Sequence, residues 1–130
     1  PDFVDGRSFL PCLTGKEVPW RDGLLIEFGY IDEEAVTEAL ADPETDNLLV
    51  DVAGGAFRAI RGPDYVYVEY VNGEVEFYDL VSDPYQLENI AARLSAETLE
   101  TLHTKLDALE YCEGNTCRTL DEDLNIEIQK

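Results

Sequence analysis

The chain has little that could neutralise an anion: nine basic residues stand against 29 acidic ones. A formal net charge of −20 excludes the ordinary nucleic-acid binder, whose affinity comes from neutralising phosphates. Methionine is absent, and the chain starts at Pro1, so it reads as a segment of a longer protein. No apolar run approaches the roughly 20 residues of a membrane-spanning helix, so no membrane span is expected. The opening PDFVDG is neither basic nor apolar and does not read as a signal peptide. A single histidine, His103, leaves no histidine cluster for a metal, and nothing nearby in sequence marks a partner for it as a general base. A Gly-rich phosphate loop is also lacking, since Gly54-Gly55 is isolated. DPETDN lacks the Gly and the bidentate Glu of an EF-hand, and Ser8, Ser82 and Ser95 stand in no nucleophile motif.

What is present is enough for one folded domain. The 130 residues are 45% hydrophobic, which argues against disorder. The acidity has three readings: solubility, a salty habitat, or a basic partner surface. The most ordered stretch runs YVYVEYVNGEVEFYDL, with β-rich runs on either side of Asn72-Gly73. An Asn-Gly pair between such runs predicts a hairpin with a two-residue turn. That turn sets Tyr70 opposite Val75, Val68 opposite Phe77 and Glu69 opposite Glu76. The face of Val66, Val68, Tyr70, Val75 and Phe77 is then expected on the core, and the face of Tyr65, Tyr67 and Tyr78 outside it.

FRAIR (Phe57 to Arg61) precedes the hairpin across a Gly-Pro-Asp turn, giving an antiparallel meander. LLIEF reads as a strand buried on both faces. Asp83-Pro84-Tyr85-Gln86 reads as a helix start. Ser95 caps a longer helix to about Tyr111, with Leu99, Leu102, Leu106 and Leu109 in one stripe. A further helix is expected over Asp32 to Ala41 and a short strand over Leu48 to Val52. The tail residues Leu124, Ile126 and Ile128 alternate, as in an added strand or a frayed end. Residues 1–22 form an irregular lead-in, with Phe9, Leu10 and Leu13 expected to anchor it to the core. The fold class is α+β: a small antiparallel sheet packed against one long C-terminal helix as a two-layer sandwich.

Cys112 and Cys117 are close enough in CEGNTC to form a disulfide worth about 2 kcal/mol by chain entropy. The alternative, a metal pair, has no second Cys/His pair to complete a zinc site. A disulfide would place the protein outside the reducing cytosol. Cys12 is expected to be buried and inert. Arg58 and Arg61 stand out in so acidic a chain. Three residues apart on a strand, they point to opposite faces. They pair with nearby Glu or contact an anionic group presented by another part of a larger protein. No catalytic, cofactor or metal residue emerges from the chain's own chemistry.

The ordered set DGRSFLPCLTG, WRDGLLIEF, FRAIRGPDYVYVEY, EFYDLVSDPYQLENIA and LDALEYCEGNTCRT resembles the C-terminal region of type I, formylglycine-dependent sulfatases. The ending looks most like the N-acetylglucosamine-6-sulfatase branch. The resemblance spans about Asp5 to Thr119. Residues 31–55 match poorly and look like an insertion, and 56–119 carry the hairpin-plus-helix core of a single domain over 1–130. The resemblance implies a non-catalytic C-terminal subdomain whose parent hydrolyses sulfate esters of sulfated sugars. Its partners would be the catalytic domain of the same chain and, for the parent, a sulfated carbohydrate. The catalytic domain would cover the LLIEF strand. Calcium and formylglycine would belong to that domain, with no cofactor in this segment. Cys12 stands in Cys12-Leu13-Thr14-Gly15-Lys16, which lacks the Pro/Ala and Arg of the formylglycine motif. Val66 stands where relatives often carry Lys, so no charge role is expected there. The parent is expected to be extracytoplasmic or secreted. The competing reading is a free-standing acidic module that binds calcium or a basic protein. A complete small hydrolase using surface carboxylates would need an organised nucleophile or metal set that is not found.

Overall fold

A computed structural model describes residues 3–18, 20–29 and 55–126. Alternating Val, Tyr and Phe make strands β3 (Tyr65–Tyr70) and β4 (Val75–Asp79), preceded by β1 (Leu24–Phe28) and β2 (Phe57–Arg61). All three pairings are antiparallel, in the order β1-β2-β3-β4.

The hairpin turn differs from expectation by one residue. Tyr70 N–H donates to the Glu74 carbonyl and Gly73 N–H to the Tyr70 carbonyl, both at 2.9 Å. Gly73 lies at φ +87°, so the loop is the three-residue kind closed by a left-handed glycine. Tyr67 therefore faces Phe77, Val66 faces Tyr78 and Glu69 faces Val75. A slip of one residue exchanges the faces. Tyr65 and Tyr67, expected outside, are each 2% exposed and share a cluster with Ile60, Phe77, Leu102, Leu106 and Leu109. Val66 and Val68 are also buried, but with Ala59 in a second cluster, packed against Phe57, Tyr70 and Tyr78. The like-charge pair Glu69–Glu76 does not form, because Glu76 faces Val68.

LLIEF is an edge strand rather than a strand buried on both faces. It pairs with β2, and its Leu24, Ile26 and Phe28 side chains are exposed. The expected helix start at Asp83 is a turn instead. The Asp83 carboxylate accepts N–H groups from Leu87 and Glu88, four and five residues on, and Gln86 takes φ +57°, which no α-helix propagates.

Two helices follow a 3₁₀ turn at Ala91–Arg93. The longer spans Ala96–Glu110 and the shorter Asn115–Leu120. With a one-turn helix at Leu10–Leu13, these are α1 (10–13), α2 (96–110) and α3 (115–120). The C-terminal part is thus two helices rather than one. Ser95 Oγ accepts the Thr98 N–H at 3.1 Å and caps α2 as its sequence predicts. Leu102, Leu106 and Leu109 are buried, and Leu99 packs at the margin. A disulfide joins Cys112 to Cys117 between α2 and α3. Leu124 is buried, and its carbonyl accepts the Tyr65 hydroxyl at 2.6 Å. Residues 124–126 form no strand, and Ile128 lies outside the described residues.

The lead-in is held by charge rather than by its apolar side chains. Arg7 reaches Asp121 at 2.5 Å and Glu122 at 2.7 Å, and it also bonds the Arg118 carbonyl. Phe9, Leu10 and Leu13, expected as anchors, are exposed. Cys12, expected to be buried, is a free, exposed thiol on α1. The helix expected over Asp32 to Ala41, the strand over Leu48 to Val52 and residues 31–54 of the expected insertion lie outside the described residues.

Candidate functional site

Arg58 and Arg61 point to opposite faces of β2, as their spacing requires. Arg58 shares the helix-covered face with Glu69, its neighbour across β3. Its Nη2 lies 2.8 Å from Glu69 Oε2 and 2.6 Å from Asp107 Oδ1, and Nη1 bonds Glu110. Glu69 is the hub. Its Oε1 accepts the Tyr67 hydroxyl at 2.6 Å and lies 2.8 Å from His103 Nδ1. His103 Nε2 lies 3.5 Å from Asp107 Oδ2.

The network's electrostatics follow from these contacts. Burial pushes the Glu69 carboxyl up, but hydrogen bonds from Tyr67, Arg58 and His103 outweigh it, and the net shift is downward. The bond to Glu69 raises His103 above the usual histidine value, against a smaller opposing effect of burial. Burial opposes the charge of Arg58, yet Glu69 and Glu110 hold it more firmly protonated. Burial, then the bond to Glu69, raises Tyr67. Every group is engaged with another, so the arrangement pins α2 across β2 and β3 rather than presenting a nucleophile or a free anion site.

Sequence reasoning missed the partner of His103 because Glu69 is 34 residues away. The His103–Asp107 spacing, four apart on one helix face, was the available signal.

Arg61 is half-buried on the other face, between Leu24 and Val66. That face carries an aromatic row, Phe28–Phe57–Tyr70, with ring centroids 5.8 Å apart at each step. Phe28, at 55% exposure, forms its open end. A cleft of 290 Å³ lies where the lead-in, β1 and the disulfide meet. Its carboxylates Asp5, Glu27, Glu110 and Asp121 face one arginine, Arg21, which suits no anionic ligand.

Among the described residues, no three His, Cys, Asp or Glu side chains converge as a metal-binding set. Cys12 lacks the flanking residues of a formylglycine precursor. The described residues do not fit a metal ion or a formylglycine, and no catalytic step is assigned to them.

No protein-family model matches the chain. Individual relatives do. It is 31% identical over 130 residues to the N-acetylglucosamine-6-sulfatase of Capra hircus, a match covering 89% of this chain and 23% of that protein. It is 38% identical over 117 residues to the ulvan-active sulfatase of Formosa agariphila, covering 81% of this chain and 21% of that one. The chain matches the C-terminal region of sulfatases. Among solved structures, the phosphonate monoester hydrolase of Agrobacterium radiobacter superposes on this chain with a TM-score of 0.53. That match is 26% identical and covers 88% of this chain and 20% of the hydrolase. The chain thus spans less than a quarter of the length of these curated relatives.

Proposed function

We propose that this chain is the non-catalytic C-terminal subdomain of a sulfatase whose full-length form hydrolyses sulfate esters of sulfated sugars. One observation carries the reading: the sulfatase match takes in 89% of this chain but only 23% of the relative. Calcium and formylglycine would then reside in the larger, catalytic portion. The subdomain would be a single unit over 1–130, with its lead-in at 1–22 and its hairpin and helix packed as two layers over 56–119. The open sheet face at Leu24, Ile26 and Phe28 supports a covering catalytic domain, because such side chains gain by leaving water. Arg61, on that same face, is the better placed of the two arginines to meet substrate, since Arg58 is already held by three carboxylates. The Cys112–Cys117 disulfide supports an extracytoplasmic location.

The test is an aryl-sulfate assay of the full-length protein beside the isolated chain. Turnover is expected from the first and none from the second. Turnover by the isolated chain overturns the reading.

A further inference from the structure

We propose that the loop from Val81 to Glu88 is a docking element that seats in an apolar recess on the catalytic portion of the same protein. This rests on reading the chain as a sulfatase C-terminal subdomain.

The loop is built rigidly. Asp83 accepts the N–H groups of Leu87 at 2.7 Å and Glu88 at 2.9 Å through its carboxylate, and that of Gln86 at 3.1 Å through its carbonyl. At the near end, the Asp79 carboxylate accepts Val81 N–H at 3.1 Å, and its carbonyl accepts Asp83 N–H at 2.7 Å. At the far end, Asn89 acts as a one-residue strand on the outer edge of β4. Its amide donates to the Val75 carbonyl and accepts the Phe77 N–H, both at 3.1 Å. Ile90 N–H then bonds the Phe77 carbonyl at 2.9 Å. Between these bolts, Gln86 holds φ +57°, a left-handed conformation that a non-glycine residue keeps only where its surroundings over-determine it.

Beside the polar Ser82, Gln86 and Glu88, this frame displays three large apolar side chains. Val81 is 75% exposed, Tyr85 80% and Leu87 83%. Scattered surface hydrophobics need no explanation, but three this exposed within seven residues of one hydrogen-bonded loop are a local concentration of apolar surface. The charges nearby are turned to other uses: Asp83 holds the loop, and Glu88 pairs with Arg93. The loop is a pre-organised contact surface in an otherwise acidic chain.

The occupant follows from size and position. Relatives are more than four times the length this chain spans in them, so most of such a protein lies outside it. The sheet order puts the loop at the β4 edge and the exposed Leu24, Ile26 and Phe28 at the β1 edge. A body several times larger than this chain can meet both edges.

The experiment uses the intact protein in a Cys12→Ser background. Single thiols are introduced by Leu87→Cys, Tyr85→Cys and, as a reference, Val71→Cys at the exposed hairpin turn. Each is reacted with a water-soluble maleimide. The Val71→Cys thiol is expected to react freely. The Leu87→Cys and Tyr85→Cys thiols are expected to react at least tenfold more slowly and to match it in denaturant. Equal native rates at the three positions overturn the proposal. Protection lost on dilution assigns the loop to a second copy and also overturns it. An intact protein with no formylglycine motif upstream overturns the parent reading itself. Free reaction at Leu87→Cys in a protein that has the motif overturns the docking loop alone.

Discussion

His103 Nδ1 lies 2.8 Å from Glu69 Oε1, and this contact ties α2 to β3. The other ring nitrogen faces Asp107. A neutral imidazole has one N–H, so only the protonated ring can donate to both carboxylates.

The sign of the pH dependence follows. The folded-state pKa of His103 is raised from 6.5, so its contribution is fully present below that value and is lost as pH rises through the raised one. Glu69 is lowered, so its contribution is present above the ordinary carboxylate range and is lost as pH falls through the lowered value. The melting temperature of wild type minus that of His103→Gln should be largest on the acid side of neutrality and shrink as pH rises. Parallel pH profiles for the two proteins would show that the contact has no such role.

Arg58→Ala leaves Glu69, Asp107 and Glu110 without their shared cation. The loss should be about 2–3 kcal/mol, below the full cost of breaking a buried pair because Asp107 is half-exposed. Arg58→Lys should recover only part of it, since one ammonium cannot reproduce the guanidinium fork. Urea unfolding curves of the three proteins measure this.

Phe77 is fully buried and stacks on Tyr65, with ring centroids 5.6 Å apart. Phe77→Ala should cost roughly 3–5 kcal/mol by loss of transfer energy and the cavity left behind. Val66→Ala, in the second cluster, should cost less, since fewer methyl groups leave the core. A comparable loss from the two substitutions by chemical denaturation would argue against Phe77's place at the centre.

Replacing both Cys112 and Cys117 by Ser should lower stability by about 2 kcal/mol, the chain-entropy value for so short a ring. Urea unfolding of this variant and of wild type with and without reductant gives the comparison. An unchanged midpoint would mean that Gly114 and the helix ends set this geometry without the bond.

The strands and the long helix were legible because their signals are local. Val and Tyr runs mark β3, and Ser95 with four spaced leucines marks α2. The hairpin register was not legible. Asn72-Gly73 is compatible with a two-residue loop and with a longer loop closed by a left-handed glycine, and the choice turns β3 over relative to β4, exchanging the faces of Tyr65, Val66, Tyr67 and Val68 while Val75 and Phe77 stay on the core side. Asp83-Pro84 has the composition of a helix start, yet Asp83 spends its oxygens on Leu87 and Glu88. The opposed directions of Arg58 and Arg61 followed from parity alone. The carboxylates around Arg58 did not, because they come from β3 and α2.

Arg7 has a consequence for synthesis. Its bonds to Asp121 link positions 114 residues apart. At the usual pace of a ribosome, about 5–20 residues per second, those partners emerge roughly 6–23 s after Arg7 itself. Until then the lead-in has neither its carboxylates nor the Gly114 amide that Asp5 accepts. This clasp closes late, so in nascent chains stalled before residue 118 the segment around Arg7 should be untethered and cut by protease far faster than in the finished fold.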